Sequence, residues 1–387
     1  MTKVLYIGGT GTISASCVAR SVREGADVHI LNRGRNANAR PIPDGVSLHI
    51  ADVHDVNAVL DALAGYHFDC VVDFLSFDEK DAADAVRMWT GRTGQYIQIS
   101  SASIYHKPVR RVPFAESPPR HNPFLPYARS KIAAENVIRA AYEQTQFPAT
   151  IVRPSHTYDD ARPPLPGDWI AWNRLVRGDE IVVPGDGTNL WTITHASDFA
   201  VGLVGLVANY QAVGEDFHIT SGEALPWDEI YRTIAAAAGT ECRLSHLPTE
   251  LISVVAPEWM WTPLFAGDLG HSAIFDNSKI KRFVPAFHPV VTWPQGVRGL
   301  AAWRAGHPDS TQPDPDTTRS WTGWCGHGTL QPTRSYPGSP ADRRQRPRPA
   351  NCLLIDGTGR PSGGSAVGQY AHRPPWRPPA DGRQGRR

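Results

Sequence analysis

The chain of 387 residues carries 39 basic and 38 acidic side chains, so no global charge draws it to nucleic acid or to a membrane surface. With 41% apolar residues it can bury one large core or two smaller ones, and it contains no run of about 18 apolar residues that would mark a membrane span. The start is too short in apolar residues for a signal core, so the chain reads as cytoplasmic, with a small polar substrate as its partner. Cys17, Cys70, Cys242, Cys325 and Cys352 lie far apart, with no CxxC pair and no histidine at ligand spacing, which reads as reduced thiols and no metal site.

In chain order, the first strand candidate is "KVLYIG", which runs into "GGTGTIS" and then the amphipathic helix "TISASCVARSVREG", ending on Gly25 as a C-cap. Gly8 allows a tight turn there and Gly11 lets backbone approach a pyrophosphate. The helix start at Thr12 and Ile13 supplies N–H groups and a positive dipole end. A plain turn is the other reading of these glycines. The second strand, "DVHILN", ends on Asn32 and Arg33, where an NAD-binding chain places an acid for the ribose. An uncharged Asn followed by Arg favours a 2′-phosphate, hence NADP, although Asn also suits the ribose hydroxyl of NAD. After the third strand, "VSLHIA", Asp52 can accept from an adenine amino group or cap the next helix, "HDVNAVLDALAG".

Then follow "DCVVDFL", the helix "EKDAADAVRMWTG", "GQYIQIS", a long helix "YARSKIAAENVIRAAYEQT" and "ATIVRP". This alternation predicts βαβ units and a doubly wound parallel sheet over residues 1–154. Tyr127 and Lys131 are spaced i, i+4 on one helix face, so the ammonium is expected to lower the phenol's pKa and both groups to face one site with the serines of "ISSASIY". A phenolate of that kind takes a proton from a secondary alcohol while hydride leaves for nicotinamide.

Beyond Pro154 the pattern loosens into proline-punctuated loops with short helices, "IAWNRLVRG", "ASDFAVGLVGLVAN", "WDEIYRTIAAAAG" and "LISVVA". Residues 155–306 therefore read as a smaller substrate-binding region over the end of the sheet. Residues 307–387 hold 13 of the 34 prolines and 12 arginines against six acidic residues, and read as a disordered tail. Arginine outnumbers lysine 33 to six, a codon signature of a GC-rich genome and of secondary metabolism.

Over residues 3–300 these motifs resemble the extended short-chain dehydrogenase/reductase superfamily, whose members include NAD-dependent epimerases and dehydratases. "GGTGTIS" is similar to its GGTGFIG, "SSASIY" to SSxxVYG, "YARSK" to YxxxK and "IVRPSHTY" to RPxNVYG. The resemblance implies a Rossmann fold, with Ser101 binding the substrate oxygen, Tyr127 as acid/base, and Lys131 on the nicotinamide ribose. It also implies a homodimer through two long helices, one of them bearing Tyr127.

Departures from the pattern narrow the chemistry. Dehydratases of the family carry Asp-Glu after the catalytic hydroxyl, and Ala102 and Ser103 stand there, which argues against water loss. Members binding sugar diphosphates carry an Arg four residues before the position of His195, and Trp191 stands there. Arg174 or Arg177 can substitute, or Trp191 can stack on a base or sugar ring. His156 ends a parallel strand where ligands bind, and Ser103 lies beside Ser101, so both join the tentative substrate residues. Lys279 and Lys281 are structural or substrate-rim residues.

The expected function is NAD(P)-dependent oxidation of a secondary hydroxyl on a sugar or nucleotide-like substrate, as part of an epimerisation. A net dehydrogenase or reductase is the first alternative. "GGTGTIS", "LNRG" and "RPSHTY" also resemble the atypical branch that includes chloroplast stem-loop RNA-binding proteins, which makes a non-catalytic RNA binder the second.

Overall fold

The computed structural model describes residues 1–35, 40–255, 257, 259 and 261–308. β1 (Lys3–Ile7), β2 (Asp27–Asn32), β3 (Ser47–Ile50), β4 (Cys70–Asp73), β5 (Tyr96–Ile99) and β6 (Ala149–Pro154) are the six expected strands. They pair in parallel with a seventh strand, Asp216–Ile219, in the order seventh-β6-β5-β4-β1-β2-β3. The helices flanking and following them are α1 (Ser14–Arg23), α2 (Val56–Ala62), α3 (Glu79–Trp89), α4 (Pro126–Thr145), α5 (Trp169–Arg177), α6 (Ala196–Val204) and α7 (Trp227–Ala238).

The alternation within β1 divides the core into two layers. Val4 and Tyr6 pack with Cys17 and Val18 of α1 and with Phe199 and Leu203 of α6. Leu5 and Ile7 point the other way, onto Val59 of α2, Met88 of α3 and Ile138 of α4. The sheet is thus buried on both faces, a doubly wound Rossmann arrangement. Local signals set the helix ends. Asp55 accepts from Ala58 N at 3.1 Å and Asp78 from Asp81 N at 3.0 Å, while Gly25 turns the chain at φ +81° directly after α1. The cap of α2 is therefore Asp55, not Asp52.

The seventh strand was not among the expected ones, because "DFHI" is short and carries a histidine in its interior. Non-local polar contacts hold it instead. Its Asp216 pairs with Arg153 of β6 at 2.6 Å, its His218 ring hydrogen-bonds the Tyr105 hydroxyl, and the His218 amide donates to Glu116 Oε1 at 3.1 Å.

Residues after Pro154 also build a separate, tryptophan-rich core in which Trp191 stacks on Trp227 at 5.6 Å. Helices Ser278–Phe283 and Trp293–Gly306, absent from the sequence expectations, lie in this stretch, and the second opens with a capping box between Thr292 and Gln295. The expected disordered tail lies, from residue 309 on, outside the described residues. No helix among the described residues is long and apolar enough to cross a membrane.

One ion pair fastens α4 to the sheet. Arg153 donates to Glu135 from Nε at 2.9 Å and from Nη2 at 2.8 Å, and both side chains are fully buried. Burial alone would raise the Glu135 carboxyl, but Arg153, with Ser100 and Arg120 adding to it, holds the group below its ordinary value. Arg153→Leu, which takes both bidentate bonds from the buried carboxylate and leaves it Arg120 at 3.0 Å, is expected to cost about 3 kcal/mol of unfolding free energy, and Arg153→Leu with Glu135→Met to recover part of it. Urea denaturation of the three proteins checks both.

Candidate active site

Parallel strands end on one edge, and two concavities open there. The larger, a cleft of about 630 Å³, is lined by Gly8, Gly11, Asn32, Arg33, Arg35, Arg40, Asp52, Leu75 and Phe77. Gly8 has φ +82°, and a Cβ on it would come within 2.9 Å of Leu75; one on Gly9 would come within 2.8 Å of Ile30. Only glycine fits these positions, and the bare backbone makes a concave cradle at the head of α1. Ser14 locks it: its hydroxyl donates to Gly8 O at 2.7 Å and accepts from Gly11 N at 2.9 Å. The residues present fit a dinucleotide, with the pyrophosphate on the cradle and the ribose near the end of β2.

The other predicted cofactor residues divide by role. Asn32 Oδ1 accepts from Gly34 N at 2.8 Å and so shapes the turn after β2. Arg33 is 70% exposed and only 3.9 Å from Asp52, a loose pair that leaves it available to a phosphate. Thr12 accepts from Arg40 at 3.3 Å, and the Ile13 side chain packs into the α1/α6 core, so its contribution to the cleft is confined to backbone.

The second concavity, about 240 Å³, is lined by Ser101, Ser103, Tyr127, His156, Arg162, Asp168, Trp191, Trp261, Asp268 and Phe275, among others. The Ser101 and Ser103 hydroxyls share a hydrogen bond of 2.9 Å, and Asn122 donates both to Ser103 O at 2.8 Å and to Gly267 O at 2.7 Å. Gly267 and Asp268 belong to a single π turn, Phe265–Leu269, so Asn122 ties that turn to the serine loop.

Lys131 lies between Phe77 of the cleft and Tyr127 of the cavity. Its ammonium donates to Ser76 O at 2.7 Å and to Ile99 O at 2.8 Å, at the ends of β4 and β5, and lies 4.5 Å from the Phe77 ring and 5.9 Å from the Tyr127 ring. Burial lowers it to about 8, against the pull of Asp73, Asp81 and Glu135. Tyr127 departs from the expectation that Lys131 would lower it. Part of its ring is open to solvent, yet burial around the phenol is the main cause that pushes it up to about 12, with Asp268 adding to the rise and Ser101 opposing it. The phenol is therefore a proton donor at neutral pH.

The remaining tentative substrate residues separate as well. Trp191 and His156 reach the cavity, their rings in edge contact at 6.4 Å, and burial followed by Arg162 lowers His156 to about 4, so it is neutral. Arg174 does not reach it: the side chain is buried and donates from Nε to Glu180 O at 2.9 Å, a fold contact of α5. Arg177 pairs with Asp179 in solvent, and Lys279 with Glu215. The guanidinium on the cavity wall is instead Arg162, clamped by Asp168 through bonds of 3.0–3.2 Å. Arg162 and Asp268 were missed because "DDARPPLPG" and "FAGDL" carry no periodicity, and only the fold brings them beside Tyr127.

A sheet of this strand order with a glycine cradle at its switch point defines the class of dinucleotide-binding Rossmann proteins. Within that class, a model of the NAD dependent epimerase/dehydratase family matches residues 4–220, and the chain belongs to that family. It is 26% identical over 307 residues to 2'-dehydrokanamycin reductase of Streptomyces kanamyceticus, covering 78% of this chain and 84% of that protein. It is 25% identical over 252 residues to the chloroplast stem-loop binding protein of 41 kDa b of Arabidopsis thaliana, covering 61% and 63%. Among solved structures it is similar to UDP-glucose 4-epimerase from Bifidobacterium longum in complex with NAD+ and UDP. That likeness has a TM-score of 0.64 at 19% identity, over 80% of this chain and all of that one.

The protonation of Lys131 has a measurable consequence. An unfolded chain holds this proton up to about 10.5, the folded one only to about 8, so between those values the folded chain binds fewer protons and stability rises with pH. Across that window wild type is expected to gain about 3 kcal/mol on Lys131→Met, read by urea denaturation at stepped pH.

Proposed function

We propose that the chain catalyses NAD(P)-dependent hydride transfer at a secondary carbon of a sugar-like substrate, run as net reduction of a ketone. The observation that carries this is that Ser101 and Tyr127 line one cavity while Lys131, one turn along the same helix, has its ammonium 5.9 Å from the Tyr127 ring and 4.5 Å from that of Phe77, a residue of the glycine-cradled cleft. A bound dihydronicotinamide supplies the hydride to the carbonyl carbon. Ser101 orients the carbonyl oxygen by hydrogen bonding, and Tyr127 gives its phenolic proton to that oxygen as the alcohol forms. Lys131 is held by the Ser76 and Ile99 carbonyls with its ammonium 5.9 Å from the Tyr127 ring, on the side of the phenol that faces Phe77 of the cleft.

One observation favours reduction: the relative matched over 84% of its own length is a reductase by name. Arg33 and Arg35 on the cleft wall support NADP(H) as the cofactor. Ala102 and Ser103, in place of an acidic pair, argue against water loss. Epimerisation is the second reading: it uses the same Ser, Tyr and Lys, and the family match supports it. The likeness to a stem-loop binding protein adds a non-catalytic reading, which the assembled Ser, Tyr and Lys disfavour.

Purified protein is to be denatured, any released nucleotide identified by mass spectrometry, and the apo form titrated with NADP+ and NAD+. Exchangeable binding with preference for NADP+ is expected; a tightly retained dinucleotide would move the reading to epimerisation, and binding of neither would overturn both. Tyr127→Phe is expected to lower kcat on any accepted ketone by about a hundredfold or more while cofactor affinity stays the same, measured by steady-state kinetics beside a titration.

A further inference from the structure

Arg40 stands between the two concavities. Its Nε and Nη2 donate to the two Asp159 carboxylate oxygens at 2.8 and 2.9 Å, and Nη2 also reaches the Thr12 hydroxyl at 3.3 Å. Its backbone N–H donates to Thr10 O at 3.0 Å, which pins the guanidinium over the glycine-rich turn. Arg40 and Asp159 are 19% and 13% exposed, so the pair is shielded from bulk water yet borders the cleft. Asp159 belongs to the cavity side of the molecule. Its Oδ1 accepts from Ala161 N at 3.1 Å and its carbonyl accepts from Arg162 N at 3.1 Å, closing the turn that presents Arg162. Arg162 in turn grips Asp168, a cavity-wall residue held at φ +48°. One continuous set of contacts therefore runs from the cradle, through Arg40 and Asp159, to the substrate wall.

We propose that Arg40 is the pyrophosphate-binding side chain of the cleft and that Asp159 is its resident counter-ion, displaced when the dinucleotide arrives. This rests on the nucleotide-binding reading above and adds a residue and its counter-ion to it. The planar fork that fits a carboxylate bidentately fits a phosphate equally well, and a pyrophosphate on the cradle offers two negative charges where Asp159 offers one. Binding therefore transfers the guanidinium from Asp159 to the ligand. The turn at 159–162 loses its outside anchor at that moment and keeps its own Ala161 and Arg162 hydrogen bonds.

The test is calorimetric titration of the full chain with NAD+ and with NADP+. If wild type binds neither, the nucleotide reading fails and this inference with it; all other outcomes concern Arg40 alone. Arg40→Ala is expected to weaken both nucleotides by the same factor, about tenfold or more, because the pyrophosphate is common to them. Asp159→Asn keeps an acceptor for the Ala161 N–H while removing the competing charge, and is expected to tighten both by about two- to fivefold. A gain of affinity does not arise from misfolding, which keeps the test decisive if Arg40→Ala folds poorly. Unchanged affinity in Asp159→Asn, or a loss in Arg40→Ala confined to NADP+, would overturn the proposal, the latter making Arg40 a reader of the 2′-phosphate.

Discussion

The buried ion pair between Glu135 and Arg153 is the constraint on which the site depends. α4 carries Tyr127, Lys131 and Glu135 at intervals of four, so one face of one helix meets the serine-lined cavity, Phe77 of the glycine-cradled cleft and the sheet interior in succession. The last of the three is fixed by a bidentate bond to a strand that is itself hydrogen-bonded on both sides. The same guanidinium holds Asp216 and the Tyr105 hydroxyl, so the seventh strand and the serine loop take their positions from it too. A charge this deep is unfavourable unless every partner is present, and the network therefore tolerates one arrangement of helix, strand and loop.

What was legible in the sequence was whatever is encoded locally. Six strands announced themselves by apolar runs, their helices by caps such as Asp78 and the glycine after α1, and the cofactor turn by glycines between the two. That Ser101 and Tyr127 line one cavity was legible because a strand end and a helix start place both side chains at the same edge of the sheet. What escaped was held by distant partners. Asp216–Ile219 is a strand because Arg153 and Glu116 complete it, Arg162 is a wall residue because Asp168 clamps it, and Arg174, a reasonable cation for a substrate, is spent on a carbonyl of its own loop. The tuning of Tyr127 was misjudged for a related reason: spacing brings Lys131 near, but two strand-end carbonyls turn its ammonium away, and burial then governs the phenol.

The cavity itself is nearly charge-balanced. Arg162 is matched by Asp168, and Asp268 by the buried Lys107 at 3.4 Å, while His156 is neutral. Hydroxyls and aromatic faces do the remaining recognition, an environment suited to a polyhydroxylated ring, whose faces are apolar and whose edges are hydrogen-bonding groups.

Ser14, which stands where the resembling families have a third glycine, changes how the cofactor turn pays for its ligand. By accepting from Gly11 and donating to Gly8, its hydroxyl staples the loop into its binding shape as part of folding. The backbone entropy of a glycine-rich segment, ordinarily surrendered when a nucleotide settles, is already gone before one arrives. Association should then show a small entropic penalty and little loop reordering, and the dinucleotide meets a template rather than a flexible strand of chain.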